Sequence, residues 1–362
     1  MNRLLVALLG LAALSAHAGA KKASASKPSA KKPAASKPAP DVVVDPALLE
    51  FFKPLPARFE SDANPTSEAK VTLGRMLYFD TRLSKNHDLS CNSCHGLDTF
   101  GVDNQKFSTG HKGQKGGRNS PTVYNAGEHI AQFWDGRASS LEEQAKGPVT
   151  NPVEMAMPDE KRVVATLKSI PRYVALFQQA FPGQAEPVTF DNVGNAIGAF
   201  ERGLVTPGRF DKFVQGDKAA LTPEEKQGLV KFAELGCTTC HNGSAVGGSS
   251  FQRLGLVTPY PDESDLGRFS VTQDEGDRMV FRVPTLRNIA RTAPYFHNGS
   301  FTELEPVVKT MAKHQLGREI SDEDAKQVSA FLRSLTGELP TAYIQKPELP
   351  PSTPATPKPD PS

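Results

Sequence analysis

The sequence predicts a mainly α fold in two helical domains, and three observations predict it. The pentapeptide C-x-x-C-H occurs twice, as Cys91-Asn92-Ser93-Cys94-His95 and Cys237-Thr238-Thr239-Cys240-His241, and these runs hold all 4 cysteines of the 362 residues. Apolar residues between and after them recur at helical spacing behind capping residues. Strand-like alternation is scarce. One helical unit around each pentapeptide is the economical arrangement.

C-x-x-C-H is the attachment signature of c-type haem. Cysteines at i and i+3 can each form a thioether to one porphyrin, and the adjacent histidine can then ligate iron from one side. Two covalent haems are expected, with His95 and His241 as proximal ligands. A zinc site would pair its C-x-x-C halves across a loop of about 15–20 residues, far shorter than the stretch from Cys94 to Cys237. A redox dithiol needs one such pair and no histidine after it. Disulfides would not explain why His95 and His241 follow in step.

The N-terminus supplies a compartment for this chemistry. Arg3 precedes an apolar run from Leu4 to Leu14, and Ala16-His17-Ala18 forms an A-x-A-like cleavage site. Residues 1–18 therefore read as a Sec-type signal peptide cleaved near Ala18. The run is well short of the ~20 residues that span a bilayer, so a soluble periplasmic protein with no transmembrane segment is expected. Residues 19–40, nearly all Lys, Ala, Ser and Pro, read as a disordered leader, because they have too little apolar surface to offset ordering. The whole chain is +2, yet Arg3 and six lysines fall in the first 40 residues, so the remainder is net acidic. A solvated tether suits those lysines; docking to an anionic membrane or acidic partner is the alternative. Nothing points to nucleic acid. A Pro-rich tail spans residues 341–362, and its end, residues 346–362, is expected to be disordered.

The stretch between divides into an N-terminal domain, 41–204, and a C-terminal domain, 205–340, with the boundary near residues 203–209. In the first, a helix beginning at Asp191 places Val193, Ile197, Phe200 and Leu204 on one face. In the second, Thr222-Pro223-Glu224-Glu225 supplies an N-cap, proline at N1 and glutamate at N3. That helix runs to Gly236, directly before the second pentapeptide. Phe301 to Leu316 reads as a helix containing Met311. Ser321 opens another, with Val328, Phe331, Leu332 and Leu335 at core spacing and Gly337 past its end.

The group opposite each iron decides the function. Residues 108–118 read as a Gly/Lys-rich loop that could bring His111 to the first iron and let it leave, although His87 and His129 compete for that role. On the second iron, Met311 is a candidate because thioether is a common sixth ligand that raises the potential. His314 lies one turn along the same helix as a rival, and a plain core methionine is the third option.

Several longer runs carry a resemblance. Arg118-Asn119-Ser120-Pro121-Thr122-Val123 and Ala131-Gln132-Phe133-Trp134-Asp135-Gly136-Arg137 are two of them. Gln144-Ala145-Lys146-Gly147-Pro148, Pro152-Val153-Glu154-Met155, Arg282-Val283-Pro284-Thr285-Leu286-Arg287-Asn288 and Pro294-Tyr295-Phe296-His297-Asn298-Gly299 complete the set. Across roughly residues 45–340 the chain resembles the bacterial di-haem cytochrome c peroxidases.

That resemblance implies two cytochrome c-like helical domains, each carrying one covalent haem c, and reduction of hydrogen peroxide to water. By the family's pattern the N-terminal haem is peroxidatic, with His95 proximal and His111 a removable distal ligand. The C-terminal haem, held by His241 and Met311, receives electrons from a small cytochrome c or cupredoxin. Trp134 falls at the inter-haem position, Glu154 at the catalytic glutamate and Gln144 at its polar neighbour. A calcium ion would use the Asn119 side chain with the Thr292 and Pro294 carbonyls, and a homodimer is implied. The pattern departs at Lys112-Gly113, where Gly-Trp is usual, and at His129 and His314. Two other functions stay open: a di-haem oxidase of a partner protein, whose relatives carry tyrosine at the methionine position, and a di-haem electron carrier without peroxidase activity.

Overall fold

Helix-start chemistry places the long helices. The computed structural model describes residues 42–362; the expected signal peptide and the 19–40 leader lie outside the described residues. The first group is α1 (Glu68–Phe79), α2 (Leu141–Thr150), α3 (Glu160–Lys168), α4 (Pro171–Ala180) and α5 (Phe190–Glu201). Ser67, Ser140, Asp159 and Thr189 each accept a backbone N–H at the start of their helix, satisfying a donor that lacks an intrahelical partner. The second group is α6 (Pro223–Leu235), α7 (Leu304–Leu316) and α8 (Asp322–Ser334). Thr222 and Glu225 form the expected capping box on α6, and Gly236 ends it in the left-handed conformation. Helix α7 begins at Leu304, three residues later than the sequence suggested, because Phe301 is spent in a bridge to Tyr295. The one sheet among the described residues pairs β1 (Phe251–Arg253) antiparallel with β2 (Val280–Arg282).

Two separate cores result. Leu73, Leu77, Tyr78, Phe177, Val193, Ile197 and Phe200 belong to the first; Leu229, Phe232, Val308, Val328, Phe331 and Leu332 belong to the second. Each is organised by the same helix crossing. A Cβ on Gly74 of α1 would fall 1.9 Å from the Ala196 carbonyl oxygen and 3.0 Å from Phe200 Cβ, both on α5. A Cβ on Gly228 of α6 would fall 2.0 Å from the Gln327 carbonyl oxygen and 2.9 Å from Phe331 Cβ, both on α8. Glycine lets two backbones touch, and a phenylalanine four residues on closes the gap. This correspondence between the halves is a backbone relation that hardly marks the sequence.

Core membership does not follow the expected division at either end of the chain. Phe52 and Leu48, inside 41–204, pack into the second core, with Phe52 edge-on to Phe210 at 5.3 Å. Leu339 and Tyr343 pack into the first. The middle of the connection, Leu204 to Thr206, is buried as well: Thr206 accepts from the amides of Asn125 and Asn288 at 2.8 and 2.9 Å. Nearby, Arg287 donates through both Nη atoms to Asp211 at 2.9 Å, and the side chains are 1% and 6% exposed. Asp211 also accepts from the backbone N–H of Leu55 and Gly208. Asp211→Ala would leave a buried guanidinium unpaired, so a loss of about 3–5 kcal/mol is expected, read by denaturant unfolding of the haem-loaded protein. A loss below about 1 kcal/mol would show the pair to be peripheral.

The Pro-rich tail is ordered, which corrects the expectation of disorder. Tyr343 stacks on Phe200 at 5.1 Å and 17°, and its hydroxyl donates to the Phe200 carbonyl at 2.7 Å. Thr353 donates to the Ser169 carbonyl at 2.9 Å, and Ser352 accepts from Arg82 at 3.1 Å. The Asp360 N–H then reaches the Lys85 carbonyl at 2.9 Å. Proline restricts φ in the unfolded chain, so an extended segment loses less entropy on docking. A few hydrogen bonds then suffice where composition alone suggested none. No helix of the described residues is long and apolar enough to cross a membrane.

Candidate active site

Both pentapeptides sit on one short helical turn. Cys91–Cys94 is a single α-turn behind Ser90, and Cys237–Thr239 a 3₁₀ turn directly after α6. In each, the histidine backbone N–H bonds to the carbonyl of the first cysteine at 3.0 Å, turning the ring back over the pair. His95 Nδ1 lies 3.3 Å from the Gly101 carbonyl and His241 Nδ1 lies 3.4 Å from the Val246 carbonyl. An imidazole whose Nδ1–H is engaged by a carbonyl presents Nε2 to a metal. Burial lowers the pKa of both rings, that of His241 to about 4, keeping them in the neutral, ligating form. All four cysteines are free, and burial raises the pKa of the Cys91, Cys94 and Cys237 thiols. Among the described residues no His/Cys/Asp/Glu cluster could hold a bare metal ion.

The second site opens on a large cavity. Cys237, Cys240 and His241 line it with apolar side chains of α6, α7 and α8, including Phe232, Leu235, Val308 and Leu332. Met311 faces the same cavity from α7. His314 does not line it: its Nδ1 lies 3.0 Å from the Thr258 carbonyl, and its ring meets Tyr260 edge-on. The residue set suits a covalently attached porphyrin with a flat apolar body, an imidazole on one side and a thioether in reach.

Around the first site the loop and the carboxylate meet. The loop is a tight hairpin in which Thr109 bridges Lys115 and His111 starts a 3₁₀ turn. The His111 backbone N–H donates to the Glu154 carbonyl at 2.8 Å. A Cβ on Gly110 would fall 2.0 Å from the Val153 carbonyl oxygen, so only glycine allows this approach. His111 is buried. Its Nε2 lies 3.2 Å from the carbonyl of Ser362, the last residue of the tail, and Lys85 Nζ donates to that same oxygen at 2.7 Å. Of the rival histidines, His87 lines a separate cleft with Lys85, Met157 and Asp360, and His129 lies on the second cavity.

Burial pushes the Glu154 carboxyl above the usual carboxylate range, against the opposing pull of Arg137. Gln144 stands half-buried on α2, upstream of the turn that carries Glu154. Trp134 lines the second cavity and donates Nε1–H to the Asn119 carbonyl at 2.8 Å. Asn119, Thr292 and Pro294 line the same cavity, and Asn119 Nδ2 is committed to the Gln105 carbonyl at 2.9 Å. One group that sequence reasoning missed is Glu201. Burial first, then the neighbouring Glu142, pushes its carboxyl up to about 8, and it lies close enough to Cys91 to act on that thiol. The signal was an acid four residues after Ile197 on the apolar face of α5.

Comparison with known proteins places this geometry among relatives. The family model described as "Di-haem cytochrome c peroxidase" matches residues 68–219. The chain is 49% identical over 315 residues to cytochrome c551 peroxidase of Pseudomonas aeruginosa, covering 85% of this chain and 90% of that one. It is 48% identical over 298 residues to cytochrome c551 peroxidase of Nitrosomonas europaea, covering 81% and 87%. Among solved structures, a MauG-like protein associated with microbial copper homeostasis matches with a TM-score of 0.71 at 30% identity, covering 82% of this chain and 97% of that one.

Proposed function

The chain belongs to the di-haem cytochrome c peroxidase family, and on that premise we propose that it reduces hydrogen peroxide to water in the periplasm. Electrons from a small cytochrome c or cupredoxin enter at the C-terminal haem, held by His241 and Met311. They pass by way of Trp134 to the N-terminal haem, held by His95. The observation that carries this reading is the hydrogen bond between the His111 N–H and the Glu154 carbonyl at 2.8 Å. It ties the loop that carries His111 and the half-buried Glu154 into one site.

Bound at these sites, haem c supplies one iron that takes up peroxide oxygen and another that relays electrons. The protein's share is positioning and proton handling. Glu154 Oε accepts the proton of the inner peroxide oxygen and returns it to the outer one, which departs as water. A carboxyl raised by burial holds a proton more readily than a free one, which suits a group that must take one up and give it back. Gln144 would contribute a neutral amide to the same site. His111 would govern access, since its ring on the iron would exclude peroxide and the loop that carries it could withdraw it. Asn119 Oδ1 with the Thr292 and Pro294 carbonyls is the proposed calcium site, since hard oxygen donors suit that ion. A homodimer is part of the same reading.

Steady-state turnover of peroxide with a reduced small cytochrome c tests the proposal; no consumption by protein carrying two haems overturns it. An electron paramagnetic resonance spectrum of the half-reduced protein should show a high-spin iron. If both irons stay six-coordinate, the electron-carrier reading replaces this one. Met311 argues against a partner-protein oxidase, whose relatives carry tyrosine there. Met311→Leu is expected to lower the potential of the C-terminal haem, because a thioether ligand favours the reduced iron. A redox titration without a shift would transfer the role to His314.

A further inference from the structure

Arg282 and His129 line the second cavity, and no step above uses either. Arg282, on β2, is buried, and its guanidinium makes only long contacts, to the Phe133 and Val283 carbonyls at 3.4 Å. Among the described residues no carboxylate pairs with it, in contrast to Arg287, which is held by Asp211. Burial pulls its pKa down to about 10. A buried cation without a counter-charge is costly and marks a place where an anion is expected.

His129 lies on the same cavity wall. Burial, and after it the charge of Arg282, holds its ring well below the ordinary histidine range. The Gln132 side chain lies beside the ring but spends its amide N–H on the Ala126 carbonyl at 2.9 Å, and neither ring nitrogen makes a well-formed hydrogen bond. Buried imidazole nitrogens are ordinarily satisfied. The ring is also seated with care. The Ile130 N–H bonds to the Gly248 carbonyl at 2.9 Å, and a Cβ on Gly248 would fall 2.4 Å from His129 Cδ2. Glycine at 248 therefore leaves the room the ring fills, and the Gly248 N–H ties it to Val283, next to Arg282, at 2.9 Å.

A c-type porphyrin carries two propionate carboxylates in addition to its thioether bonds. We propose that Arg282 and His129 together form the carboxylate-anchoring site of the C-terminal haem, Arg282 supplying the counter-charge and the His129 ring N–H a hydrogen bond. This rests on the family reading for the presence of that haem. Both are positioning residues: they hold the edge of the porphyrin and set its affinity for an electron. A cation beside the ring favours the reduced state, so its loss lowers the potential.

The test uses the full haem-loaded protein, with two haems verified by haemochrome absorbance. The C-terminal haem's potential is titrated, and its propionate bending band is followed by resonance Raman on the half-reduced protein. Arg282→Gln should lower that potential and move the band; Arg282→Lys should restore both toward wild type. His129→Leu should move the band, and His129→Gln, which keeps an N–H donor, should move it less. The N-terminal haem should be unaffected throughout. Band and potential identical to wild type in both Arg282→Gln and His129→Leu overturn the proposal, as do equal shifts at the two haems, which would mean general loosening. If Arg282→Gln does not accumulate, the His129→Leu band decides, and an unmoved band overturns the proposal. None of these readouts needs peroxide: inactive wild-type protein that still shows the shifts would sink the peroxidase reading and leave the anchor standing.

Discussion

Glu154→Gln is expected to lower peroxide turnover by about 10²–10⁴-fold while both haem spectra stay as in wild type. Glutamine keeps the volume and hydrogen-bonding reach of glutamate but cannot take up and return a proton. The backbone contact from the His111 N–H uses the residue 154 carbonyl and survives the substitution. The loss would therefore isolate proton transfer from loop placement. Burial is what raises this carboxyl above its ordinary range, and an amide has no charge to desolvate, so the variant should fold at least as well as wild type. Unchanged steady-state turnover would remove Glu154 from the mechanism.

His111→Gly is expected to be active without prior reduction of the C-terminal haem. If the closed loop outnumbers the open one by about 99 to 1, removing the ring raises the starting rate of the oxidised protein on the order of a hundredfold. Residue 111 begins the 3₁₀ turn of a hairpin whose ends are joined at Thr109 and Lys115, so the loop should keep its shape. Assaying the as-isolated variant against pre-reduced wild type decides the matter. Activity that still needs a reductant pulse would mean that the gate lies elsewhere.

Local chemistry was legible in the sequence and long-range pairing was not. Thr222 with Glu225 and Gly236 bound α6 because capping is settled within four residues of the helix end. The ordered tail was missed for the opposite reason. Tyr343 is stabilised by Phe200, and Thr353 by Ser169, partners that composition cannot reveal. Phe52 looked like part of the first domain because it precedes the first pentapeptide, yet its ring packs on Phe210 and Phe331. His129 and Arg282 read as an odd histidine and one letter of a motif. Their significance is burial without a counter-charge for Arg282 and without a well-formed hydrogen bond for His129, a property of the assembled cavity.

By itself, the sequence determined where two porphyrins can be attached, since the Cys91–Cys94–His95 and Cys237–Cys240–His241 spacings are covalent and local. It also determined that helices would surround them, through periodicity and caps. Only the tertiary structure decided that Met311, and not His314, faces the second cavity, and that the loop bearing His111 rests on Glu154. It alone decided that the chain end reaches His111. Attachment needs residues a few positions apart, whereas access, charge balance and proton transfer depend on groups that meet only when distant segments close around a common space.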